Sequence, residues 1–120
     1  MTTRHDVLKQ RAYEFALRII KLFRGLPISD DARIIGKQLL RAGTSVAANY
    51  RAAGRARSHA EFVSKMGIVV EEADESRFWL DLLVDSGIVS REVLAGIDKE
   101  AEELLAIFAA SYHTAKKRRP

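Results

Sequence analysis

Cysteine is absent from the 120-residue chain, proline occurs twice and aromatic residues make up only 8% of it. Without thiols there is no disulfide framework, no thiol nucleophile and no cysteine-ligated zinc or iron–sulfur site. Long apolar runs are missing too. No stretch approaches the ~18 residues of a membrane span, and the opening MTTRHDVLKQ lacks the apolar core of a signal peptide. These absences lead us to expect a single cytoplasmic domain. What is present is a 48% hydrophobic fraction, too high for a disordered chain. A chain of this length can hide roughly two-thirds of its unfolded surface without covalent staples.

The formal net charge is +4, but its distribution says more. Lys116, Lys117, Arg118 and Arg119 form a basic tail on an otherwise neutral body. Residues 1–60 hold 12 basic and 4 acidic side chains, and residues 61–115 hold 4 basic and 12 acidic ones. Between Ala32 and Ala60 there are six basic residues and no acid.

The apolar periodicity predicts an all-α fold. Leu8, Ala12, Phe15, Ile19, Leu22 and Leu26 step by four and three, the stripe of an amphipathic helix. Thr3 is its expected N-cap, with Gly25 and Pro27 stopping it. A second helix follows Ser29-Asp30-Asp31 with the stripe Ile35, Leu39, Ala42, Val46, Asn49 and Ala53. A third carries Phe62, Met66, Val69, Ala73, Ser76, Leu80 and Leu83 behind a Ser58–Glu61 capping box. The fourth, after Ser86-Gly87 and a Ser90 cap, carries Leu94, Ile97, Ala101, Leu104 and Phe108. Four such helices with short connections predict an antiparallel up-down bundle over residues 1–115, with 116–120 as a mobile basic tail.

Three faces divide the second helix. At 100° per residue, Arg33, Lys37, Arg41, Arg51 and Arg55 fall within an arc of about 80°, opposite the apolar stripe. A row of cations suits a polyanion, because neutralised phosphates release counterions. The same row suits the acidic half of the chain, within one subunit or across an oligomer. Gly36, Gly43, Ala47 and Gly54 share a third face about 40° wide. Helical glycine costs ~1 kcal/mol relative to alanine, so this face implies a close helix approach, either by a bundle neighbour or by a second subunit. Asn49 on the apolar stripe beside Ser45 reads as a register-setting polar group.

On the third helix, Phe78, Trp79, Leu80, Leu82 and Leu83 are apolar nearly all round. One bundle face covers Leu80 and Leu83, leaving Phe78, Trp79 and Leu82 as candidate subunit-contact residues, unless the long first or fourth helix covers them. Catalysis is not expected. His5, His59 and His113 have no second histidine at helical spacing, and no Glu-x-x-His of a di-iron bundle occurs. Glu71, Glu72 and Glu75 read as a solvated acidic face. No Gly-rich phosphate loop and no nucleophile–base pair stands out. The reading is therefore of a non-enzyme with no metal site and no cofactor.

From Leu40 to Gly87 the residues resemble a bacterial family. The matching pieces are Arg41-Ala42 leading into Thr44-Ser45-Val46-Ala47-Ala48-Asn49, then Arg55 to Ser58, Glu61-Phe62, Lys65, Glu71-Glu72-Ala73 and Trp79-Leu80. In order and spacing they resemble the four-helix bundle proteins associated with intervening sequences of large-subunit ribosomal RNA genes. Where that family usually has Asn, an acidic residue and Gly, this chain has Asn49-Tyr50-Arg51-Ala52-Ala53-Gly54, without the carboxylate. The resemblance implies a four-helix bundle assembling into a ring-like homo-oligomer, a pentamer. It also implies a fold similar to accessory proteins of diversity-generating retroelements, which bind a reverse transcriptase and nucleic acid. It carries over no catalytic residue. Two functional readings follow: an oligomer that binds RNA or DNA through the basic helix face and tail, or a protein-interaction scaffold whose basic and acidic faces pair with each other or with a partner protein.

Overall fold

The computed structural model describes residues 1–118, so Arg119 lies outside the described residues. Four helices fill it: α1 Arg4–Arg24, α2 Asp30–Ala53, α3 His59–Asp85 and α4 Arg91–Lys117. Serine ends each connection as the N-cap of the next helix, Ser29, Ser58 and Ser90 each accepting a bond from an amide of the first turn. That arrangement satisfies one of the orphan donors left at every helix start. Thr3 and Asp6 form a complete reciprocal capping box at α1. The box expected at Ser58–Glu61 is only half made. Ser58 accepts from the Glu61 amide at 3.0 Å, while the Glu61 carboxylate turns to Arg57 at 3.7 Å. Gly87, with φ of 81°, supplies the left-handed turn between α3 and α4.

Contacts run backwards along neighbouring helices, which makes the arrangement up-down. From α1 to α2, His5 lies against Gly54, Ile19 against Gly43, and Phe23 against Gly36. The expected stripes form one core: Phe15, Ile19, Leu39, Val46, Met66, Val69, Leu80, Leu83, Leu94, Leu104 and Phe108 are all essentially inaccessible. Ser76, buried among them, returns its hydroxyl to the Glu72 carbonyl at 2.8 Å. Sequential helices pack closely, whereas α1 and α4 touch least. Arg11 bridges that looser seam, its guanidinium donating to Glu100 at 2.6 and 3.1 Å. The bundle measures 49 × 27 × 19 Å.

The basic tail starts later than expected. Lys116 and Lys117 belong to the last turn of α4, and Arg118 is its C-cap. Cations there complement the partial negative charge of the helix end, so the helix continues through the first two of them. Lys116 Nζ lies 5.2 Å from the Tyr112 ring centre.

Candidate nucleic-acid interface

The glycine face of α2 is intramolecular. A Cβ at Gly43 would stand 2.8 Å from Ile19 Cγ1, and one at Gly36 would stand 2.7 Å from Leu26 Cδ1. At Gly54 a Cβ would collide with the His5 ring. Gly36, Gly43 and Gly54 are therefore where α1 approaches α2, and they leave the set of subunit-contact candidates. Gly54 is exposed beside the His5 ring, and Ala47 stays partly open in a groove between α1 and α2. Asn49 is also settled within its own helix, donating to the Ser45 carbonyl at 3.0 Å and hydroxyl at 2.8 Å. It is half-buried and locally satisfied, so a register role is not needed to explain it.

The basic face divides. Arg41, at the edge of the arc nearest α3, donates to Glu72 at 2.9 Å and also bonds Glu75. Glu75 accepts the Trp79 indole N–H at 3.1 Å as well. Here the acidic half of the chain neutralises the basic half within one subunit, as one of the two sequence readings required. Glu72 and Glu75 are thereby engaged, which removes them from any cation site. No cluster of three or more metal-ligating side chains occurs among the described residues.

Arg33, Lys37, Arg51 and Arg55 are exposed, and no ion pair engages them among the described residues. Angle explains the difference, because these four point away from α3 by a further part of a turn. Arg55 sits in the connection after α2 and not on the helix itself. The free cations on the helix, Arg33 to Arg51, span about 27 Å at 1.5 Å per residue. Other bridges absorb much of the remaining acid: Arg77 reaches Asp98 at 3.8 Å and Glu102 at 3.5 Å, and Arg11 reaches Glu103 at 3.6 Å.

The α3 patch is smaller than its composition suggests. Trp79 packs on the core and Leu82 is half-buried. Phe78 is 55% exposed, its ring edge-on to Trp79 at 4.8 Å. A second apolar strip went unnoticed in the sequence. Tyr13 and Leu17 on α1, 57% and 50% exposed, flank the groove that Ala47, Ala48 and Arg51 line from α2. The signal was available, since Tyr13 and Leu17 stand one turn apart on the side of α1 away from its core stripe.

From residue 5 to residue 110 the sequence matches the family described as 23S rRNA-intervening sequence protein. The chain belongs to that family. A solved structure, that of a protein of unknown function from the S23 ribosomal protein family of Bacteroides thetaiotaomicron, is similar to this chain and 33% identical. It covers 92% of this chain and 99% of its own, with a TM-score of 0.85. No curated protein matches. The resemblance seen between Leu40 and Gly87 thus extends over nearly the whole bundle of this rRNA-intervening-sequence family member. No helix among the described residues is long and apolar enough to cross a membrane.

The Arg41 cluster has a measurable consequence. Hydrogen bonds from Arg41, and then from Trp79, hold the Glu75 carboxyl below its ordinary value. Its contribution is therefore complete above the ordinary carboxylate range and fades as pH falls through the lowered folded value. Both partners are substantially solvated, which limits the contribution to about 1 kcal/mol. Glu75→Gln is expected to lower the urea midpoint at pH 7, the difference closing below about pH 4. Trp79, the single tryptophan, reports the transition by fluorescence.

Proposed function

We propose that this chain is a non-enzymatic, cytoplasmic nucleic-acid-binding protein that works as a homo-oligomer, with Arg33, Lys37, Arg51 and Arg55 facing phosphates. The supporting observation is the split of the basic face. Arg41 is neutralised inside the subunit, whereas the other four cations are exposed and unpaired among the described residues. A surface that only paired helices within one subunit would have no use for the four left over. Lys116 and Lys117, exposed on the last turn of α4, add positive charge. Repetition of this face around a ring of subunits would multiply weak contacts into useful affinity. The exposed Tyr13–Leu17 strip, with Ala47, and the Phe78–Leu82 edge are the surfaces available for such assembly.

Binding to structured RNA or to DNA should fall steeply with salt. Contacts to about four phosphates per subunit give a log–log slope of roughly −3 to −4. Arg51→Glu with Arg55→Glu is expected to remove most of the binding, whereas Arg41→Glu would confound it by breaking the α2–α3 bridge. Native mass spectrometry of the same variant distinguishes the scaffold reading, in which charge reversal dissociates the oligomer. Intact oligomers that lose only nucleic acid support the proposal, and salt-independent or absent binding overturns it.

A further inference from the structure

At the end of the bundle where α1 and α3 begin and α2 and α4 finish, the core opens into a cleft of about 560 Å³. The volume falls within the roughly 300–1,000 Å³ typical of small-ligand sites. Its origin is visible in the helix stripes. One turn before Leu8 the core stripe of α1 presents His5, and one turn before Phe62 that of α3 presents His59. Beyond Phe108 the stripe of α4 ends in Ser111 and Ala115. Polar or small side chains thus occupy positions that large apolar ones fill elsewhere, at the seam where α1 and α4 touch least.

The lining has three chemical parts. Arg4 and Arg118 bring guanidinium groups that make no ion pair among the described residues. Ser111 and Thr114 bring hydroxyls from one face of α4. The third part is a graded aromatic column: Phe108 in the core, Tyr50 tilted against it with ring centres 4.7 Å apart, and the half-buried His5 stacked on Tyr50 at 4.7 Å. Gly54 leaves the space that the His5 ring occupies. On the opposite wall His59 Nε2 is 2.9 Å from the Ala115 carbonyl, joining the start of α3 to the end of α4. Burial raises the Tyr50 phenol above its ordinary value, with the Arg4 charge opposing that shift, so the phenol stays neutral.

We propose that this cleft binds a nucleoside 5′-phosphate, with Arg4 and Arg118 holding the phosphate and the His5–Tyr50 column beside the base. Guanidinium forks match phosphate oxygens, and aromatic faces stack bases without sequence preference. The Ser111 and Thr114 hydroxyls are placed to meet the sugar. The inference is independent of the α2 face, because none of Arg33, Lys37, Arg51 or Arg55 lines the cleft. Two sources supply this chemistry: a free nucleotide, and the phosphorylated 5′ end of a strand.

Calorimetric titration of the full chain with the four common nucleoside 5′-monophosphates, adenosine and inorganic phosphate tests it. At least one monophosphate is expected to bind at one site per chain, with adenosine and phosphate each about tenfold or more weaker. Arg4→Ala with Arg118→Ala should weaken the monophosphate at least tenfold; both positions are exposed, and an unchanged melting temperature verifies the fold. Gly54→Ala, which displaces His5, should weaken the monophosphate and leave inorganic phosphate unchanged. Absence of saturable binding up to millimolar ligand, phosphate binding as tight as the nucleotide, or indifference to the arginine changes would each overturn the inference. A 5′-phosphorylated oligonucleotide that binds more tightly than both its 5′-hydroxyl form and the free nucleotide assigns the cleft to a strand end. The reverse order assigns it to the free nucleotide. Nucleotide binding without salt-sensitive nucleic-acid binding leaves the cleft standing and removes the α2 reading.

Discussion

Gly43→Leu is expected to destabilise the bundle by about 3 kcal/mol, a large part of the roughly 5–15 kcal/mol that holds a domain of this size. Two terms of opposite sign decide the size. Replacing a helical glycine gains nearly 1 kcal/mol of backbone propensity. Against it stands the seat of α1 on α2. A Cβ at Gly43 meets Ile19 Cγ1 at 2.8 Å, Cγ2 at 3.1 Å and Cβ at 3.2 Å, all on one fully buried side chain. These atoms are next to the backbone of a β-branched residue and cannot swing aside, so α1 itself must move. Gly43→Ala is expected to be milder, because propensity offsets part of the clash. Gly36→Ala should be near neutral, since its neighbours are the far end of Leu26 and the ring edge of Phe23, both partly exposed and able to shift. Pairing Gly43→Ala with Ile19→Ala should restore about 1 kcal/mol or more of coupling in a double-mutant cycle. Urea unfolding at several protein concentrations measures all of these. An effect of Gly43 that vanished at high concentration would place it between subunits and overturn the α1–α2 assignment.

The same residue shows how far the sequence was legible. Periodicity placed the core stripes, because burial on one face of a helix repeats at a fixed angle whatever the neighbour. Ser29, Ser58, Ser90 and Thr3 were recognisable as caps for the equally local reason that a side chain bonds an amide two or three residues on. The partner of a face is not local. Gly36, Gly43 and Gly54 announced a close approach but not whether α1 or another subunit made it. Arg41 looked identical to Arg51 until α3 stood beside one of them and not the other. Glu61 has the spacing to reach back to Ser58, yet Arg57 offers it a charged partner. Least visible was the cleft. His5, His59 and Ser111 lie more than fifty positions apart from one helix to the next, and only the up-down topology brings them to one end. Each was readable as the point where a core stripe turns polar. Their convergence was not, because it depends on three helix lengths agreeing.

The two phenylalanines Phe108 and Phe78 should separate core from surface chemistry. Phe108→Ala is expected to cost about 3–5 kcal/mol and lower the melting temperature by roughly 10–20 °C. Its side chain is fully buried as the last large apolar residue of the α4 stripe, and its ring backs Tyr50 at 4.7 Å. Removing it leaves a cavity that rigid helices on all sides cannot close, and the aromatic pair adds about 1 kcal/mol beyond simple burial. The damage should not stop at stability. Tyr50 loses the surface that holds it under His5, so nucleoside-phosphate affinity at the cleft should fall even at temperatures where the variant remains folded. Phe78→Ala removes the same atoms from a ring that is mostly solvated and touches Trp79 edge-on. Its cost within one subunit should stay near 0.5 kcal/mol. If Phe78 contributes to assembly, its loss appears instead as dissociation on dilution with the melting transition of the dissociated chain unchanged. A large fall in the stability of the dissociated Phe78→Ala chain, or a small one for Phe108→Ala, would contradict the packing of α3 and α4 described above.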